Sequence, residues 1–74
     1  MQTNTPKIEE LVKKNGTVEG SLIGVDGNAF SIMGYVERKL KRGGWPREDV
    51  KQVMNLMMSG DYNNVIATGC AVLS

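Results

Sequence analysis

The sequence predicts an α+β fold that is mostly α: a short N-terminal helix, one strand or minimal hairpin, then three helices. Three observations carry that prediction. Apolar residues recur at helical spacing in three stretches after residue 26, and polar caps and glycines punctuate them. One earlier stretch, T-V-E-G-S-L-I, has strand-like composition. The chain has 74 residues, enough for a single small domain over 1–74.

The elements follow in order. Residues 1–5 are expected to be disordered. Thr5-Pro6 then reads as an N-cap followed by proline at the first helical position, opening a helix over 6–14. Ile8, Leu11 and Val12 form its apolar stripe, Glu9/Lys13 and Glu10/Lys14 are i,i+4 pairs, and Asn15-Gly16 stops it. Residues 17–24 form the strand or hairpin, with Gly20 marking a bulge or turn.

Asp26 is expected to cap a helix over 26–43, with Ala29, Ile32, Met33, Val36 and Leu40 on its apolar side and Gly43-Gly44 as its stop. Trp45-Pro46 opens a helix over 46–59, striped by Val50, Val53, Met54 and Met57 and stopped by Ser59-Gly60. Met58 and Leu56 fall off that stripe and are candidates to face a partner. Asp61 caps a last helix over 61–73, where Tyr62, Val65, Ile66, Gly69 and Leu73 keep a helical period. Val65-Ile66-Ala67-Thr68 fits a strand on composition alone, but the cap and the period favour helix.

A chain this short buries only about 60% of its unfolded surface, so its core needs support. Cys70 is the only cysteine and there is no histidine, which excludes disulfides and argues against structural zinc. Oligomerisation is the remaining common support. A lone strand also leaves its backbone donors and acceptors open, and pairing across protomers would fill them. A homo-oligomer is therefore expected. The single thiol, the lack of a signal-peptide pattern and the shortness of the apolar runs point to a cytoplasmic protein with no membrane segment.

Without histidine no side chain is poised as a base near neutral pH, and Cys70 is expected to be a buried, inert thiol. Capping accounts for Asp26 and Asp61. No catalytic or metal-binding residues and no cofactor are expected, so the chain does not read as an enzyme. Gly24, Gly27 and Gly34 do not make a dinucleotide fingerprint, and no phosphate-loop lysine motif follows.

The net charge of +1 is uninformative, but its distribution is not: Arg38, Lys39, Lys41 and Arg42 lie within five positions. Basic helix ends commonly just complement the macrodipole. Here, however, Asn28, Ser31, Tyr35, Arg38 and Arg42 share one face, with Lys39 beside them and Trp45 near the basic end. Arginine forks bind phosphate bidentately and aromatic rings can stack on a base. These seven residues are the candidate ligand site.

The strings D-G-N-A-F and S-G-D-Y, with a basic helix between them, resemble a family of short uncharacterised accessory proteins of bacteriophages and prophages. The resemblance spans roughly residues 22–73. It implies expression in a bacterial host and action by binding, for example blocking a defence protein or trapping a defence signal. After S-G-D-Y this chain departs from the longer polar and aromatic helix of such proteins, and its helix 6–14 looks like an addition.

The function expected is that of a non-enzymatic, oligomeric protein binding an anionic, nucleotide-like ligand, with sequestration of a host defence signal as the consequence. The first alternative is a protein-binding inhibitor of a host defence protein or nuclease. The second is a small nucleic-acid-binding protein, prompted by the helix-turn-helix look of residues 26–59. Near-neutral charge and Glu48-Asp49 at the second helix start count against it.

Overall fold

The computed structural model describes residues 5–74, with side chains from residue 7 onward. The order is α1 (Thr5–Asn15), α2 (Ala29–Arg42), α3 (Arg47–Met58) and α4 (Tyr62–Val72), with almost no strand. Of the segment 1–5 expected to be disordered, residues 1–4 lie outside the described residues, as do the side chains of the cap read at Thr5-Pro6, whereas Thr5 is already the first residue of α1. Among the described residues, no helix is long and apolar enough to cross a membrane.

Amphipathic periodicity builds the core. Ile32, Val36 and Leu40 of α2 repeat every four residues and are buried, while Met33 packs partly against them. Val50, Val53 and Met57 do the same from α3, and Val65 and Val72 from α4. Helix α4 touches the other three helices, whereas α1 (Ile8, Leu11) lies on α3 and α4 and does not reach α2. Helix α2 therefore keeps one long face free of helical neighbours. Every buried side-chain nitrogen or oxygen among the described residues has a hydrogen-bond partner.

The strand expected over 17–24 does not form. Only Val18 makes a bridge, in parallel with Leu73. Its open backbone groups are filled within the chain: Val18 N donates to Val72 O (2.9 Å), Ser74 N to Val18 O (2.9 Å), and Gly20 N to Ser74 O (3.1 Å). The motive for pairing strands across protomers thus falls away.

The caps also shift. Asn28, not Asp26, is the N-cap of α2; its side chain accepts from Phe30 N at 2.8 Å, and Asp26 Oδ1 accepts from Asn28 N at 3.1 Å. Asp61 caps α4 by accepting from Asn64 N (3.0 Å), and Asn64 Nδ2 donates back to Leu56 O (2.7 Å). Tyr62 OH donates to Gly27 O, so the D-G-N-A-F and S-G-D-Y strings meet in space. Cys70, expected to be buried, is exposed on α4.

Two long-range contacts fix the C-terminal end of α1. Trp45 is buried between helices, and its Nε1 donates to Gly16 O at 3.1 Å. Asp49, in the first turn of α3, is also buried and accepts from Asn15 Nδ2 (2.9 Å) while pairing with Lys14 Nζ (3.1 Å). The local pairs expected for Glu9/Lys13 and Glu10/Lys14 are absent among the described residues; Lys14 turns to Asp49 in place of Glu10. The Asn15 hydrogen bond, then Lys14, holds the Asp49 carboxyl below its ordinary 3.8, outweighing desolvation.

Two outcomes are expected. Trp45→Phe removes one hydrogen bond and costs about 1 kcal/mol, while Trp45→Ala costs roughly 3–5 kcal/mol, both read from urea unfolding. A carboxyl with a depressed folded-state pKa contributes stability above its unfolded pKa and loses it as pH falls through the folded value. Asp49→Asn should therefore lower stability at pH 7 and flatten its decline on acidification below 3.8.

Candidate anion-binding site

Helix α2 presents its free face as two ridges at i,i+4 spacing. One carries Phe30, Gly34, Arg38 and Arg42; the other carries Ser31, Tyr35 and Lys39. At the C-terminal end of the helix, Tyr35, Arg38, Lys39 and Arg42 line an open groove of about 240 Å³.

Tyr35 is held from above by the loop after Val18. Its hydroxyl accepts from Ser21 N at 3.1 Å, and Lys39 Nζ stands 5.6 Å from the centroid of its ring. The loop can lie this close because residue 20 is glycine. A Cβ there would sit 3.1 Å from Tyr35 OH, 3.4 Å from Lys39 Cε and 3.0 Å from Leu73 Cδ2. The Gly20–Ser74 main-chain bond pins the loop in that position.

The charge on this face is largely uncompensated. Glu37 of the same helix is engaged by Lys41 at 3.2 Å. Among the described residues, no carboxylate pairs with Arg38, Lys39 or Arg42. The negative end of the helix macrodipole lies below them, but it amounts to only about half a unit charge against three full positive ones. The groove is therefore a cluster of donors and cations, with forks on two of its members suited to phosphate or carboxylate oxygens.

The seven candidate residues do not all converge. Tyr35, Arg38, Lys39 and Arg42 line the groove together. Asn28 is occupied as the N-cap at the other end of α2, about 10 Å by helix rise from Tyr35 at the near edge of the groove. Ser31 is half-buried on the same ridge as Tyr35, one turn before it and outside the groove lining. Trp45 is 5% exposed with its N–H already bonded, so its ring belongs to the core and offers no stacking face. The helix start at 26–29 is likewise filled by the Asp26 and Asn28 side chains.

Phe30 and Gly34 stand outside the predicted set, although they share the ridge of Arg38 and Arg42. Phe30 is 82% exposed. The i,i+4 row 30–34–38–42 is the sequence signal that aligns it with the two arginines.

The chain matches no family model, no curated protein and no solved structure. Among the described residues, no cluster of His, Cys, Asp or Glu could hold a metal ion.

If the two arginines serve a ligand and not the fold, removing them leaves stability alone. Arg38→Ala and Arg42→Ala should each change unfolding free energy by less than about 0.5 kcal/mol in urea titrations. A loss well above that would assign them a structural role.

Proposed function

We propose that the protein is a non-enzymatic cytoplasmic binder of an anionic, nucleotide-like ligand, held by its phosphate in the α2 groove. The observation that carries the reading is the convergence of Arg38, Lys39 and Arg42 around one groove without carboxylate partners among the described residues. Unpaired cations on a surface cost little when solvated, yet clustering them raises the local potential for anions. Each guanidinium offers a planar pair of N–H donors to phosphate oxygens, and Lys39 adds a mobile point charge. Tyr35, fixed by the Ser21 amide, supplies a hydroxyl at the rim.

Sequestration of a signalling nucleotide is the biological role that this binding mode fits. The phage-protein resemblance of the D-G-N-A-F and S-G-D-Y strings supports that context. Assembly into a homo-oligomer remains part of the proposal on grounds of size alone. A second reading, an inhibitor that docks on a host protein, is favoured by the exposed side chains of Ile23 and Met58. It predicts a stoichiometric protein complex that forms without any small ligand.

Calorimetry against a panel of linear and cyclic nucleotides tests the first reading. Binding should weaken as salt rises and fall at least tenfold in the Arg38→Ala/Arg42→Ala double variant. Absence of binding by the wild-type protein, or equal affinity in the double variant, would defeat it.

A further inference from the structure

The groove is small for what it is asked to hold. Ligand pockets typically enclose about 300–1,000 Å³, and this one encloses about 240 Å³. It suits a phosphate, and the remainder of a nucleotide must lie beside it on the surface of α2. One direction is furnished for that. Towards the N-terminus the Arg38–Arg42 ridge drops at Gly34, where a Cβ would meet only the Arg38 Nη1 at 3.8 Å. The arginine thus leans back one turn over a helix position that has no side chain of its own. One turn further on stands Phe30, 82% exposed.

We infer that Phe30 is the stacking residue of the site, with Gly34 as the gap into which the Arg38 side chain leans back towards it, and that the ligand class is therefore an aromatic nucleoside phosphate. This rests on the groove reading above and narrows it from anions in general. Eight residues, about 12 Å of helix rise, separate Phe30 from Arg38, and the backward lean of the arginine brings its Nη1 to the level of Gly34, one turn or about 6 Å from the Phe30 backbone. That span is of the order of the distance between a base and its 5′-phosphate. A bare phosphate or a sugar phosphate would fill the groove and leave the phenyl ring in water. An aromatic base would cover it, and stacking on an aromatic side chain is tolerant of base identity. Trp45, the aromatic nearest the basic end in sequence, cannot serve, since its ring is buried.

Calorimetry with two probes, adenosine 5′-monophosphate and ribose 5-phosphate, tests the inference. Wild-type protein should bind the nucleotide at least tenfold more tightly than the sugar phosphate. Phe30→Ala should erase that difference and leave ribose 5-phosphate binding unchanged. Phe30→Trp should restore it, with indole fluorescence quenched by the nucleotide and not by the sugar phosphate. Arg38→Ala should weaken both probes. Equal affinity of the two probes for wild type, or unchanged nucleotide binding by Phe30→Ala, would overturn the stacking role and leave the groove reading standing. No binding of either probe would overturn both. Because Phe30 is exposed, an unchanged melting temperature is expected for its variants and confirms that they are folded.

Discussion

Residues 18–20 and 72–74 exchange three main-chain hydrogen bonds, two of them through Val18 and one from Gly20 to the carbonyl of Ser74. This clasp does what a sheet would do elsewhere. It satisfies the backbone of a segment with strand-like composition and ties the stretch just after α1 to the end of α4. It also sets the height of the following loop above α2. From there Gly20 lies against Tyr35 and Lys39, the Ser21 amide fixes the Tyr35 hydroxyl, and one wall of the groove is in place. The site thus depends on pairing between segments more than fifty positions apart.

The remaining architecture serves the same end. Trp45 and Asp49 reach back to the end of α1 through Gly16, Asn15 and Lys14, locking α1 against α3 and α4. Since α1 does not pack on α2, that helix keeps its outer face for solvent or a ligand. Hydrophobic burial of Ile32, Val36 and Leu40 fixes the rotation of α2 about its axis. That rotation decides that Arg38 and Arg42 point outward together, beside Tyr35 and Lys39. The charge pattern on the surface is a consequence of the apolar pattern beneath it.

Short-range signals were legible in the sequence and long-range ones were not. The helices from α2 to α4 follow from period and punctuation, and the grouping of Tyr35, Arg38, Lys39 and Arg42 follows from i,i+4 spacing. The strand expected over 17–24 is absent, because composition cannot reveal that Val18 finds its partner at Leu73. Trp45 looked available for a ligand because its neighbours in sequence are basic, while the carbonyl that takes its N–H belongs to Gly16. Lys14 likewise leaves its local partner Glu10 for Asp49. At the start of α2 two capping residues compete within two positions, and the backbone angles of Asn28 give it the role expected of Asp26.

The central claim is that one face of α2 is the binding surface of this protein. Nitrogen-15 chemical-shift mapping during titration with adenosine 5′-monophosphate tests it most directly. The largest perturbations should fall on the amides of Tyr35, Arg38, Lys39 and Arg42, and on Ser21, whose amide reports on the Tyr35 hydroxyl. Perturbations centred instead on α1 and α3, or none at saturating nucleotide, would contradict it.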